Sequence, residues 1–255
     1  VKKIVITGCN SLYFERVLSL VSSIHKESIN TIDLIIIFNF GLTDDEVKKL
    51  NSLYKVNVID FRDEVKLHYP VYSTFSTPKT LSHFLKMYSL IYSKRIAENI
   101  LWIDAASTVL KELTPVFDII ENEHIFAVGD THLNKSYTHN KCISIMNATN
   151  GELEGRQLSS GHFGYKSDGD YQQLIDDSWN YSQVEGCIDG FDENHRHDQS
   201  VLSILCSRYN VSLQDIDIYA YWTDTNRTHQ KAIELGTIIF AGRGGINDQS
   251  SLIYK

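Results

Sequence analysis

The chain has 255 residues, a formal net charge of −8, 42% hydrophobic and 22% charged residues. That length can carry one large α/β domain with a substantial core, and the composition excludes a disordered chain. The acidic charge excludes non-specific binding to nucleic acid, which needs a basic surface, although an acidic protein can still hold a local basic pocket.

The elements alternate from the start. Residues 3–7 are β-branched and apolar and end at Gly8, Cys9 and Asn10, and the block 1–6 is too short for a signal peptide. Residues 12–25 place Phe14, Val17, Leu18, Val21 and Ile24 at helical spacing, with Ser11 as a candidate cap. Residues 32–40 hold the strongest apolar run, bounded by Asp33 and Asn39. It is far shorter than the ~20 residues that span a bilayer and reads as a central strand. Gly41 stops it, and Thr43 with Asp44, Asp45 and Glu46 opens a helix through a capping box.

A third strand covers 56–61. Residues 77–95 form a longer helix with Leu81, Phe84, Leu85, Tyr88, Ile91 and Tyr92 on one side. A fourth strand, 99–104, a helix around 116–121 opened by Thr114-Pro115, and a fifth strand, 124–129, complete a β-α repetition. Such repetition predicts a mostly parallel sheet with right-handed crossovers and ligands beyond the strands' carboxyl ends. Those ends are residues 7–10, Asp104 and Asp130. The second half reads as a Gly-containing strand (159–166), two helices (171–181 and 198–209) and late strands (216–222 and 237–240).

With 3 prolines and no low-complexity stretch, no linker divides the chain, so one continuous domain over 1–255 is expected. Cys9, Cys142, Cys187 and Cys206 form no C-x-x-C pair, which predicts buried reduced thiols in a cytoplasmic, soluble protein rather than a zinc site. No transmembrane segment is predicted, and peripheral membrane association is left open.

The segment Arg95–Ser107 delivers Asp104 from a buried apolar strand, where it can accept hydrogen bonds from a ribose, support a metal, or cap the following turn. A helix, then a strand ending Trp102-Ile103-Asp104-Ala105-Ala106-Ser107, then a helix near Thr114-Pro115, resembles GT-A-fold glycosyltransferases. The likeness is to the glycogenin-like and lipopolysaccharide-galactosyltransferase-like group, and it runs from about residue 3 to about residue 205. It implies a single Rossmann-like GT-A domain with a mostly parallel mixed central sheet flanked by helices. Residues 1–130 would be the nucleotide-binding half and 131–255 the acceptor-side half.

In that family two aspartates, usually written L-D-A-D, bind Mn²⁺ or Mg²⁺ and the donor diphosphate. Asp104 matches the first; Ala106 stands where the second should be, and Ser107 is one place off. Three arrangements follow: a metal held by Asp104 with a distant residue, a cationic side chain in the metal's place, or nucleotide-sugar binding without transfer.

The resemblance assigns further candidates. Lys86, on the helix before the Asp104 strand, would contact phosphate, unless it is a solvated surface lysine. Thr7, Gly8, Asn10 and Tyr13 would cup the nucleotide base, with Gly8 admitting the ligand to the backbone and Tyr13 stacking. Gly161 would leave space for the donor sugar and His162 would bond its hydroxyls, the competing role for His162 being structural. Asp198, in His195-Arg196-His197-Asp198-Gln199, would be base or sugar-positioning group at a helix N-terminus. His195-x-His197 lacks the further ligands of a zinc site. Arg243, in a glycine-rich loop, would neutralise diphosphate.

The reaction implied is transfer from a nucleoside-diphosphate sugar, with UDP the commonest nucleotide in that group, to a hydroxyl of a glycan or related acceptor. A non-catalytic nucleotide-sugar-binding protein is the alternative. A sugar nucleotidyltransferase is disfavoured, because residues 7–12 lack the arginine of its glycine-rich loop.

Overall fold

The computed structural model describes residues 1–75, 77–190, 194–222, 228–242 and 247–255. The strands are β1 (Lys3–Asn10), β2 (Leu34–Gly41), β3 (Val56–Ile59), β4 (Asn99–Ile103), β5 (Ser107–Val109), β6 (Ile125–Leu133), β7 (Arg156–Lys166), β8 (Ala220–Trp222) and β9 (Ile239–Ala241). The helices of the first half are α1 (Phe14–Glu27), α2 (Asp44–Asn51), α3 (Arg62–His68), α4 (Pro78–Ser93) and α5 (Thr114–Glu123). Those of the second are α6 (Asn140–Met146), α7 (Asn150–Leu153), α8 (Gln172–Ser182), α9 (Asp198–Arg208), α10 (Ile216–Tyr219) and α11 (His229–Leu235).

A six-stranded sheet has the order β3-β2-β1-β4-β7-β6. Strands β3, β2, β1 and β4 pair in parallel, while β7 runs antiparallel to both β4 and β6. Only β7 therefore opposes the common direction, and the carboxyl ends of β1, β4 and β6 share one edge. Every residue of β4 is buried, as a central strand covered on both faces requires.

Alternation along β1 divides the core. Ile4 and Ile6 join the layer of Phe84, Tyr88, Trp102 and Phe163 beneath α4, α8 and α9, whereas Val5 and Cys9 join the layer beneath α1 and α5. The first layer draws on both halves of the chain, from Ile4 to Cys206.

Several local expectations hold in detail. Thr43 and Glu46 form the reciprocal capping box of α2, and Thr77 caps α4 by accepting from Thr80 N at 3.1 Å. Others are corrected. Asn10, not Ser11, caps the turn after β1, accepting from Leu12 N at 3.1 Å, while Ser11 Oγ donates to Gly41 O at 3.1 Å and to Glu46 at 2.6 Å. Residues 216–219 are a helical turn, because the Asp215 carboxylate accepts from Asp217 N and starts one; strand structure begins only at Ala220. β3 ends at Ile59, after which α3 begins at Arg62.

The late strands expected within 216–222 and 237–240 form a second sheet, β5-β9-β8, with β5, which has no signal in the sequence pattern. Its pairing of Ser107 with Ala241 brings the late segment beside the turn after Asp104. All four cysteines are buried and unbridged, and Cys142 and Cys187, far apart in sequence, bring their Sγ atoms to 3.6 Å. Among the described residues no helix is long and apolar enough to cross a membrane.

Candidate active site

A cleft of about 1300 Å³ opens beyond the carboxyl ends of β1, β4 and β6. Its floor is built from β4 and β7. Trp102 and Asp104, two apart, share a face at the end of β4, and the indole Nε1 donates to Asp104 Oδ1 at 2.6 Å. Antiparallel β7 brings Gly161 opposite, where its carbonyl accepts from Asp104 N at 2.9 Å. A Cβ on Gly161 would lie 3.1 Å from Asp104 Oδ2, so the glycine makes room for that carboxylate.

Helix α4 supplies the second layer. His83 and Lys86 are three apart and therefore share a helical face. Lys86 Nζ lies 2.9 Å from Asp198 Oδ2 and 3.4 Å from Asp104 Oδ1, and donates to Ser160 O at 2.7 Å. It also sits 5.2 Å from the Trp102 ring centroid. His83 Nδ1 approaches Asp198 Oδ1 at 2.5 Å. Burial alone would depress the Lys86 ammonium, but the charges of Asp104 and Asp198 outweigh it and hold the pKa above its ordinary value. Burial likewise favours the neutral acid at Asp198, yet Lys86 and His83 overcome it and keep the carboxyl well below the usual range. Asp198 is thus a buried, fixed negative charge with low proton affinity.

The backbone that presents Asp198 is unusual. His197 has φ 54° and ψ −121°, a conformation that costs a non-glycine residue on the order of 1–3 kcal/mol. Three imidazoles hold the preceding segment. His195 Nε2 bonds Cys187 O at 3.0 Å, His197 Nδ1 bonds Ile188 O at 2.8 Å, and His139 Nε2 bonds Asp189 O. The rings pack in a line: His139 on His195 at 4.1 Å, His195 against His197 at 5.7 Å, and His197 on His83 at 4.5 Å. Burial, then the neighbouring His139 and His197, pushes His195 down to about 3, so it stays neutral.

At the far wall Arg196 Nη1 pairs with Asp130 Oδ2 at 3.1 Å and its guanidinium lies 3.8 Å over the Tyr137 ring. The other oxygen of Asp130 accepts from Thr131 N at 2.5 Å and faces His132 Nδ1 at 2.9 Å.

Of the residues singled out in sequence, Gly8, Asn10, Tyr13, Lys86, Asp104, Ser107, Gly161 and Asp198 all line the cleft. The space beside Gly8 is taken by Phe40: a Cβ there would meet the ring at 2.3 Å, so this glycine admits a side chain of its own chain. Thr7 and His162 are placed elsewhere. Thr7 is wholly buried with an unpartnered hydroxyl, because β1 alternation turns it inward. His162 is likewise fully buried, bonds Ser107 Oγ at 3.1 Å through Nε2, and is pushed down to about 4 by burial. It supports the floor from beneath and does not reach the cleft. Arg243 lies outside the described residues.

His83, Trp102, Arg16 and Arg196 also line the cleft, and their sequence context assigns them no role. The first could have been found from its spacing to Lys86 on one helical face; Arg16 and Arg196 carry no local signal. The described residues do not fit a metal held by protein ligands. Among them no three His, Cys, Asp or Glu side chains are placed to hold one metal ion, Ala106 offers no donor atom, and Asp104 Oδ1 already accepts from Trp102 and faces Lys86.

This architecture is the GT-A glycosyltransferase fold. Among solved structures, the bifunctional glycosyltransferase WbbM in its apo form aligns with TM-score 0.67 and 12% identity over 97% of this chain and 46% of that one. Mouse xyloside xylosyltransferase 1, apo form, gives 0.59 and 13% over 95% and 97%. The galactosyltransferase LgtC, in complex with donor and acceptor sugar analogs, gives 0.57 and 12% over 94% and 87%. At these identities the likeness is one of fold. This chain spans less than half of the WbbM chain. No protein-family model matches the sequence, and no curated protein matches it.

Proposed function

We propose that this protein transfers a glycosyl group from a nucleoside-diphosphate sugar to a hydroxyl acceptor such as a glycan. The observation that carries the reading is the buried Lys86–Asp198 ion pair set into the floor of a cleft of about 1300 Å³. Two charges held out of water cost free energy, and such a pair is worth keeping where it meets a developing charge. The cleft lies where open α/β sheets bind ligands and is roomy enough for a nucleotide sugar.

In this reading the base docks at Asn10 and Tyr13, at the end of β1. The donor sugar lies over Gly161 and Asp104. As the bond between sugar and diphosphate breaks, positive charge grows on the ring, and the Asp198 carboxylate stabilises it. Its low proton affinity suits that electrostatic role better than removal of the acceptor's proton, which passes instead to the departing diphosphate oxygen as that oxygen gains the electron pair of the broken bond. Uridine is the favoured nucleoside by resemblance to the glycogenin-like group.

Ala106 motivates a second reading, nucleotide-sugar binding without transfer. One assay separates them: release of UDP from UDP-sugars, with and without EDTA, beside thermal-shift screening of nucleotides. Turnover unaffected by EDTA supports transfer without a metal. Stabilisation by UDP with no turnover, across a broad set of acceptors, supports the binding protein. Absence of both, for every nucleoside diphosphate sugar tried, overturns the proposal.

A further inference from the structure

The cleft's cations are not equivalent. Lys86 is committed to Asp198 and Asp104, and Arg196 to Asp130. Arg16 also lines the cleft, from the first turn of α1. Its Nη1 is buried without a hydrogen-bond partner, and it makes no ion pair among the described residues. An unpaired buried donor on a charged group is costly, so Nη1 left this way calls for an anion.

The position of Arg16 follows from how α1 packs along β5. At one end Ser23 Oγ accepts from Val109 N at 3.0 Å. At the other, Arg16 and Ala106 both line the cleft. Moving from Ser23 back to Arg16 covers about 10 Å at roughly 1.5 Å per helical residue. From Val109 back to Ser107, where β5 begins, the strand covers about 7 Å at roughly 3.3 Å per residue, and Ala106 lies in the turn just before it. Leu113 N donates to Ser28 Oγ at 3.0 Å further along, so helix and strand run in one direction and the first turn of α1, with Arg16, lies toward the same end as Ala106.

We propose that the Arg16 guanidinium holds the donor's diphosphate beside Ala106, where this chain has no carboxylate for a divalent cation. Donor binding then needs no metal. The inference rests on the nucleotide-sugar reading above and adds which side chain neutralises the leaving group. A planar guanidinium offers two parallel N–H groups to phosphate oxygens and is always charged, so it matches a diphosphate in shape and sign. The carboxylates of Asp104 and Asp198 nearby would otherwise repel that anion, which makes an uncommitted cation necessary on this side.

Titration calorimetry on the full chain tests this with UDP, uridine and inorganic pyrophosphate as probes, all in EDTA. Wild type should bind UDP and pyrophosphate. Arg16→Ala should weaken both by about 10- to 100-fold, as expected for a lost charge-assisted contact, and leave uridine unchanged. Arg16→Lys should recover part of the loss. Because Arg16 bonds to no described residue and leaves a buried donor unpaired, the thermal midpoint of Arg16→Ala should be no lower than that of wild type, which excludes misfolding as the cause. Equal UDP affinity in wild type and Arg16→Ala overturns the assignment while leaving the donor reading intact. So does UDP binding that vanishes in EDTA and returns with Mn²⁺. If wild type binds none of the three probes with or without Mn²⁺, the donor reading fails and this inference with it.

Discussion

Lys86 Nζ and Asp198 Oδ2 are 2.9 Å apart, with 7% and 1% of their side chains exposed, so α4 and the first residue of α9 are joined by a buried ion pair at the base of the cleft. Everything proposed for the site depends on that join. It fixes one negative charge at the cleft floor and ties it to the helix that precedes Asp104.

Removing one partner should expose the cost of the other. Lys86→Met leaves Asp198 buried against a single imidazole and should destabilise the fold by about 3–5 kcal/mol. The double variant with Asp198→Asn should regain a large part of that loss, a coupling read by urea unfolding of both single variants and the pair. Additive losses would show that the two side chains do not stabilise one another.

Asp198→Asn preserves shape and removes charge. We expect kcat to fall by about 100-fold or more while donor KM changes little, the pattern of an interaction made in the transition state. Steady-state kinetics with a UDP-sugar measure it. A raised KM at unchanged kcat would assign Asp198 to ground-state binding instead.

The same pair predicts a pH profile of stability. The folded pKa of Asp198 is depressed, so its contribution is present above the unfolded value of about 3.9 and is lost as pH falls through the folded one. Lys86 is raised, so its contribution holds below about 10.4 and is lost as pH rises through its folded value. The difference in unfolding free energy between wild type and Asp198→Asn should therefore shrink as pH falls below about 4. A difference that stays constant down to about pH 2 would place the acid dependence on another group.

His197 separates backbone strain from side-chain support. Both His197→Ala and His197→Gly lose the bond to Ile188 O and the stack on His83. Only glycine escapes the penalty of φ 54°, so the glycine variant should be the more stable by about 1–2 kcal/mol. Equal stability in thermal melts would mean that the backbone relaxes in both.

Gly161→Ala tests the fit of the floor. The new methyl would press on Asp104 Oδ2 at 3.1 Å. Donor affinity should fall by about tenfold, with a thermal midpoint near that of wild type, as for a displaced carboxylate rather than a damaged core. Unchanged affinity would show that Asp104 moves aside without consequence.

Period and punctuation in the sequence determined where the strands of the six-stranded sheet and the helices α1, α2, α4, α5, α8 and α9 lie, because alternation, capping residues and glycine stops act within a few residues of the chain. The run from Ile100 to Ile103 made β4 a covered strand, and so placed Asp104 at a strand's end. Direction and partnership were decided by tertiary structure. Nothing near residues 156–166 announces that β7 runs against β4, yet that reversal sets Gly161 against Asp104 and turns His162 into the core. The role of Lys86 was likewise undetermined locally, since a lysine on a helix is solvated until a distant carboxylate is packed against it. Burial and pairing are properties of contacts between segments remote in sequence, and only the folded chain brings Lys86, Asp104, Asp198 and Arg16 around one cleft.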